Sequence, residues 1–356
     1  MIITDKISVQ RTKNSRISEV DFNNLTFGSI ISDHMLVSDY KNGEWGPSSI
    51  VPFADISISP TMLALHYGQI VFEGMKAFKM KDGNLSIFRA EKHYERFCRS
   101  MERMCIPEMS YETFLEGLKA LVKVDAAWVP GSDGASLYIR PFVFASEERF
   151  GVKVAEEYKF IIFTGPVGPY YANPLKVKVE GKFRRAARGG TGSAKCAGNY
   201  GGAFYPLQLA RKEGFDQVLW TDASADLNIE ESGTMNVMFI IDGTLVTPPL
   251  SDSILDGVTR DSFLTLAKQM GYKVEERKIG AKELISAAEK GILQEAFGTG
   301  TAAVVAPIQS INISGKDYTL SKITDSNVSM KIKQRLLEVR LGTAPDTNNW
   351  NTINKP

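Results

Sequence analysis

Apolar positions along this chain switch between a spacing of two and a spacing near 3.6, which predicts alternating strands and helices. "AFKMKDGNLSIFR" alternates on either side of Asp82-Gly83, the dipeptide that a type I′ hairpin prefers. In "AEKHYERFCRSMERMCI", Phe97, Met101, Met104 and Cys105 recur at helical spacing, so Cys98 and Cys105 are expected to pack rather than react. "SYETFLEGLKALVKV" predicts a second amphipathic helix with Ser110 as its N-cap. "SLYIRPFVFAS" and "YKFIIFTG", aromatic and β-branched, predict strands.

Gly and Pro then concentrate in "TGPVGPYYANP" (164–174), a break that predicts a connection between domains. Beyond it, "LKVKVE" and "QVLWTD" predict strands on either side of a helix from about Asn199 to Glu213, closed by Gly214. "NVMFIIDGTLVTPP" predicts a hairpin turning at Asp242-Gly243, and "GVTRDSFLTLAKQMGY" a helix ended by Gly271. "AKELISAAEKG" and "TAAVVAPI" predict a last helix and strand, and the polar tail "APDTNNWNTINKP" is expected to be loosely held. The expected organisation is a domain over 1–164, a connecting loop over 165–175 and a second domain over 176–356.

Composition narrows the class. The 356 residues are 43% hydrophobic and 23% charged, as in a soluble globular protein. With 42 basic and 41 acidic residues, no global field favours nucleic acid or an anionic membrane. No apolar run approaches the roughly 20 residues that span a bilayer, and "MIITDKISVQRTKNS" lacks the apolar core of a signal peptide, so a cytoplasmic protein is expected. Three scattered cysteines without a CxxC pair, and three distant histidines without HExxH, give no reason to expect a disulfide framework or a metal site.

Candidate chemistry centres on "ARGGTGSAKCAGNYGGAF" (187–204), five glycines and one lysine, Lys195, with no acid. A phosphate loop of the GxxxxGK[ST] type needs glycine before the lysine and a hydroxyl after it, and Ala194 and Cys196 stand there instead. "GTGTAA" (298–303) fits a dinucleotide fingerprint in letters, but β-branched residues and Pro307 follow where a helix should begin. A lysine in uncharged surroundings can instead become a neutral amine that attacks a carbonyl. Three segments support that chemistry over a solvated loop lysine. "EESGTMN" (230–236) sets a carboxylate before a glycine and a hydroxyl. "ILDGVTRDSF" (254–263) opens a helix at Gly257, where the amides of Val258 and Thr259 suit a phosphate. "FGTGTAA" puts Thr301 in a turn beside further amides. Lysine, carboxylate and helix-terminal anion site are what a pyridoxal phosphate pocket needs.

These segments also resemble, in order, the branched-chain amino-acid aminotransferases, which are fold-type IV pyridoxal-phosphate enzymes. The resemblance runs from "FGSIISDHML" through "LHYGQIVFEGMKAFK", "FRAEKHYERF", "LYIRPFVF" and "RRAARGGTGSAKCAGNYGGAF". It continues through "QVLWTD", "EESGTMNVMF", "TPPLSDSILDGVTR" and "FGTGTAA". It implies a two-domain α/β (α+β) fold, with a smaller N-terminal α/β sandwich domain and a larger C-terminal pseudo-barrel domain. It implies pyridoxal 5′-phosphate as cofactor and a homodimer with shared active sites. Lys195 would be the Schiff-base lysine and the acid and base of the proton shift, and Glu231 would keep the pyridine nitrogen protonated. Tyr200 would bond the phenolate oxygen. Arg89, the amides of Val258 and Thr259, and Thr301 would take the phosphate, with Arg185, Thr234, Leu255 and Gly257 around the cofactor. For substrate, the implied residues are Phe27, Tyr67, Phe72, Tyr138 and Arg140, the turn at Thr301 and Ala302, and Phe150 and Val152 reaching into the neighbouring subunit.

The implied reaction moves the amino group of leucine, isoleucine or valine to 2-oxoglutarate in two half-reactions. Some relatives carry a CxxC pair where this chain has Ala303 and Ala306, so that thiol switch is absent, and Phe150 is larger than the usual aliphatic residue. D-amino-acid aminotransferases, aminodeoxychorismate lyases and R-selective amine aminotransferases share the fold and the lysine. Tyr138-x-Arg140 and the EGMKAF, GGTGSAK and GNYG blocks favour the branched-chain group over them. A relative that binds cofactor without turnover is the alternative of another class.

Overall fold

Strands form where the sequence alternates and helices where apolar residues recur every third or fourth position, in a computed structural model that describes residues 2–4, 7–132, 134–168 and 173–355. The chain divides into two units. One comprises Met1–Tyr170, Ala194–Gly198 and Val339–Pro356, the other Tyr171–Ser193 and Asn199–Glu338. Compactness thus groups 194–198 and the C-terminal segment with the first unit, whereas the sequence pattern runs 176–356 as one piece.

The first unit contains β1 (Ile2–Thr4), β2 (Ile7–Val9), β3 (His34–Lys41), β4 (Glu44–Trp45), β5 (Ser48–Pro52), α1 (Leu63–Tyr67), β6 (Ile70–Phe72), β7 (Met75–Lys79) and β8 (Leu85–Phe88). Then come α2 (Ala90–Arg103), α3 (Tyr111–Val124), β9 (Ser136–Ala145) and β10 (Tyr158–Val167). Its sheet runs β1-β2-β5-β3-β10-β9-β7-β8 and ends on the C-terminal strand Asn351–Asn354, with β4 on β3 and β6 on β9. Ser110 caps α3 as expected, its side chain accepting from the Thr113 amide. Helices α2 and α3 pack together, and Phe97, Phe114 and Phe160 meet with ring centroids 5.9 to 6.3 Å apart. Each such fully buried aromatic contributes roughly 1.5–3 kcal/mol over its exposed state.

The second unit contains β11 (Leu175–Val179), α4 (Gly198–Gly201, whose first residue belongs to the other unit), α5 (Phe204–Lys212), β12 (Gln217–Thr221), β13 (Ile229–Ser232), β14 (Met235–Ile241) and β15 (Thr244–Thr247). It continues with α6 (Val258–Gln269), β16 (Val274–Glu276), α7 (Ala281–Glu289), β17 (Leu293–Thr299), β18 (Ala306–Ile313), β19 (Lys316–Thr319) and α8 (Val328–Leu341), which crosses into the first unit. Strands β13-β12-β11-β18-β17-β14 form a path, and β13 pairs β14 as well, so six strands close on themselves. Closure leaves no edge among them, and it buries every residue of β12 and β14. That is why those two segments are apolar on both faces.

Several expectations are corrected. The C-terminal tail is held, because Asn351–Asn354 pairs antiparallel with β8 and Trp350 is buried. Cys105 is exposed at φ 54, beyond the end of α2, while Cys98 is buried. The expected helix over 199–213 breaks into α4 and α5. Asp242 and Gly243 both have positive φ, the I′ pattern, but of Asp82 and Gly83 only the glycine does, so the first hairpin uses another turn. The 3.6-period pattern did not signal α8. Residues 169–172 of the expected interdomain connection lie outside the described residues.

Candidate active site

In the first unit, Lys195 lies in an extended segment annealed onto β6. The Phe72 amide donates to the Lys195 carbonyl (3.0 Å), the Ala197 amide to that of Ile70 (3.1 Å), and Cys196 bridges Val71. Alternation does the rest: Ala194 and Cys196 enter the core, and Lys195 between them is sent the other way. Its Nζ lies 4.8 Å from the Phe72 ring centroid, and its amide donates to Ser100 Oγ at 2.9 Å.

Around Phe72, the period of β9 carries Tyr138 and Arg140 on one face. The Arg140 guanidinium sits 4.9 Å from the Phe72 centroid and 5.3 Å from that of Tyr138, and it donates to the Tyr138 hydroxyl at 3.1 Å. Its Nε is buried without a hydrogen-bond partner. Phe27 meets Tyr138 edge-on at 5.0 Å. Gly74 is required here, because a Cβ would collide with the Tyr138 hydroxyl. Phe27, Phe72, Tyr138 and Arg140 therefore form one cluster with Lys195. Tyr67 is 44% exposed on α1 with His66 as its ring neighbour, and Phe150 (98%) and Val152 (81%) project into solvent. Arg89, at φ 55 before α2, lies against Trp350 with its guanidinium 4.9 Å from the indole centroid.

Sequence reasoning missed the buried group beside this cluster. Glu73, fully buried, accepts from Arg96 Nε (2.7 Å) and Nη2 (2.9 Å), from His93 Nδ1 (2.7 Å) and from the Gly74 amide (3.1 Å). Burial alone would raise its carboxyl, but the Arg96 and His93 charges and hydrogen bonds outweigh that and hold it well below the usual range. Burial pushes His93 below the usual imidazole range, and Arg96 and Lys195 add to that against the pull of Glu73. The signal was present: an acid inside apolar "IVFEGMKAF", and His93 and Arg96 three apart on the inner face of α2.

In the second unit, β13 buries Glu231. Its Oε1 accepts from the Leu255 amide (2.9 Å) and from Asn236 Nδ2 (3.4 Å), and its Oε2 lies 2.9 Å from Arg185 Nε. Arg185 also donates to the carbonyls of Gly192 (3.2 Å) and Ser253. Asn236 in turn holds the Leu255 carbonyl at 2.9 Å, and a Cβ on Gly257 would strike Asn236 Oδ1. Gly257 is the extended N-cap of α6 and provides no side-chain cap, so Val258 and Thr259 begin a helix whose first amides await an acceptor. Thr234 is exposed, Leu255 half-buried, and Thr301 and Ala302 lie half-buried in the turn between β17 and β18. Glu230, next to Glu231, faces Ser253 Oγ, and burial pushes its carboxyl up.

The glycine loop is anchored by hydrogen bonds along its length. The Gly189 amide donates to Asp252 Oδ2 (2.6 Å), that of Ser193 to the Asp252 carbonyl (2.9 Å), and Thr191 and Asn199 exchange two hydrogen bonds. A Cβ on Gly192 would run into the Ser253 backbone, so that glycine serves close approach. Tyr200 follows in α4, half-buried.

A primary amine, a buried carboxylate and an uncapped helix N-terminus fit a phosphorylated aldehyde on a basic ring, and comparison with known proteins agrees. Residues 70–311 match the family model "Amino-transferase class IV". The chain is 42% identical to branched-chain-amino-acid aminotransferase 2 of Bacillus subtilis (strain 168), over 98% of this chain and 96% of the relative. Its fold matches the branched-chain aminotransferase of Thermoproteus uzoniensis with norvaline (TM-score 0.74, 26% identity, 90% of this chain and 99% of that one). It also matches a bacterial-type branched-chain amino acid aminotransferase, from the source abbreviated T.th., complexed with N-(5′-phosphopyridoxyl)-L-glutamate (TM-score 0.71, 27% identity, 88% and 97%). Pyridoxal 5′-phosphate is the cofactor of this class, and among the described residues no helix is long and apolar enough to cross a membrane. The chain belongs to the class IV aminotransferases and, within them, to the branched-chain-amino-acid aminotransferase family.

Proposed function

We propose that the protein transfers the amino group of L-leucine, L-isoleucine or L-valine to 2-oxoglutarate, with Lys195 as the residue that bonds pyridoxal 5′-phosphate and carries the proton. The observation that carries this reading is the placement of Lys195: sent outward from a paired segment, over Phe72 and in one cluster with Arg140 and Tyr138. When bound, the cofactor supplies an electron-withdrawing ring that stabilises negative charge on the substrate carbon.

The chain's own residues do the rest. Lys195 Nζ takes the proton from the substrate Cα as a neutral amine and returns it one carbon away. Glu231 holds a proton at the ring nitrogen, and the Arg185 ion pair with the Leu255 amide keeps that carboxylate ionised and aimed. Tyr200 bonds the ring oxygen. Arg89, the amides of Val258 and Thr259, and Thr301 take the phosphate, with Thr234, Leu255 and Gly257 lining the cofactor. Phe27, Phe72 and Tyr138 offer apolar surface to branched side chains. Arg140, with Tyr67, takes the side-chain carboxylate of glutamate, while the turn at Thr301 and Ala302 receives the α-carboxylate. The buried Nε of Arg140 supports that role, since a donor left without a partner suits an incoming anion.

A homodimer in the cytoplasm is the proposed working form. Phe150 and Val152, exposed in the single chain, then become contacts to a second copy and its substrate. The test is glutamate formation from 2-oxoglutarate with L-leucine as donor and D-alanine as comparison. Leucine is expected to react and D-alanine not. Lys195→Ala is expected to abolish turnover and the visible absorbance of bound cofactor, and retained turnover would overturn the reading.

A further inference from the structure

We propose that the C-terminal segment acts as a positioning device for cofactor binding, with Trp350 holding Arg89 in the pose that grips the phosphate. This rests on the reading of Arg89 as a phosphate ligand. Arg89 adopts φ 55 and ψ 41, a left-handed conformation that a side chain disfavours, so something must hold it. Its carbonyl is used by α2, accepting from the His93 amide at 3.1 Å. On the other side its amide donates to the Trp350 carbonyl at 2.7 Å, and its guanidinium lies over the Trp350 ring. One residue therefore fixes both the backbone and the side chain of Arg89.

Trp350 is itself held. It is 8% exposed and meets Phe88 edge-on at 5.7 Å, and the Phe88 ring carries Arg340 at 4.5 Å. Cations and rings thus alternate in the order Arg340, Phe88, Trp350, Arg89. The adjoining strand β20 (Asn351–Asn354) pairs with β8 from Asn351 opposite Phe88 to Asn354 opposite Leu85. Ser86 Oγ donates to Asn351 Oδ1 (2.6 Å), Asn351 donates to Asp346 Oδ2 (2.7 Å) and to the Val339 carbonyl (2.8 Å), and Asn354 Nδ2 reaches the Lys119 carbonyl (2.9 Å). Stacking suits this purpose. An indole face fixes the plane of a guanidinium and leaves the N–H donors at its edge directed along that plane, where a phosphate can take two of them.

The experiment uses full-length protein and compares dissociation constants for pyridoxal 5′-phosphate and for pyridoxal, which lacks the phosphate. Trp350→Ala, and Trp350→Met as a space-filling substitution without a ring face, are each expected to weaken the phosphorylated cofactor by about tenfold, within the range of a desolvated cation–π contact. Pyridoxal affinity should stay within about twofold, and Trp350→Phe should restore most of the loss. Equal loss for both ligands in both variants would mean that Trp350 merely supports the fold, and unchanged affinity would mean that it does not act on Arg89; either overturns the inference. Arg89→Gln separates the two readings. If it loses no phosphate-dependent affinity, the assignment of Arg89 falls; if it does while the Trp350 variants do not, only the role of Trp350 falls.

Discussion

Glu73 shows how a single buried charge shapes the ground under Lys195. With His93 neutral, one carboxylate balances one guanidinium, and every oxygen has a donor. Glu73→Gln keeps the shape but leaves Arg96 without its counter-charge, and breaking a buried pair in this way costs about 3–5 kcal/mol. Urea denaturation should show that loss as a lower midpoint with an unchanged slope. The residue type was visible in the sequence, but its partners were not, because they lie twenty and more positions away on another element. Lys195, Glu231 and Arg140 were legible for the opposite reason: each is a polar residue in a setting whose letters already suggest chemistry.

At the scale of elements, two glycines separate local from tertiary demand. Gly243 sits at φ 70 in an open turn, where an added Cβ meets nothing, so Gly243→Ala should cost only the left-handed penalty of about 1–2 kcal/mol and leave cofactor affinity unchanged. Gly257 has ordinary φ, but a Cβ there would displace Asn236, which positions both Glu231 and the Leu255 carbonyl. Gly257→Ala should therefore cost about 1–3 kcal/mol by overpacking and also weaken cofactor binding, measured by thermal melting and by titration. The Asp-Gly pairs teach the same lesson. Asp242-Gly243 joins strands two residues apart and adopts the I′ turn, while Asp82-Gly83 sits in a longer connection and does not. Helix α8 escaped the periodicity because its polar and apolar residues are weakly segregated, and β20 escaped it because only pairing with β8 makes that polar tail a strand.

For the whole molecule, acid stability follows from the buried groups of the first unit. Below about pH 6.5 the unfolded chain protonates its His93 while the folded chain resists, so stability begins to fall as pH drops through that value. Glu73, whose folded carboxyl is held down, adds a steeper loss below about 4.5, and Asp33, bonded to Ser15, Arg16 and Trp128, adds another below about 3.8. Melting temperature should thus be flat near neutrality, slope gently under 6.5 and drop sharply under 4.5, and the sharp phase should be reduced in Glu73→Gln. Sedimentation should give about twice the 39.3 kDa chain mass if Phe150 and Val152 meet a second copy. Phe150→Asp should then change the leucine KM without changing cofactor affinity.

By itself the sequence determined the elements whose pattern is local: the amphipathic helices, the Ser110 cap, the apolar strands that close on themselves, and the chemistry-bearing residues Lys195, Glu231 and Arg140. Its motif order also determined the family. Tertiary structure alone decided which face Lys195 takes, because that depends on the pairing of its segment with β6. It alone joined Glu73 to His93 and Arg96, and Trp350 to Arg89. Those contacts arise between residues distant along the chain, so no local periodicity encodes them; they exist only once the sheet brings β8 and the C-terminal strand into register.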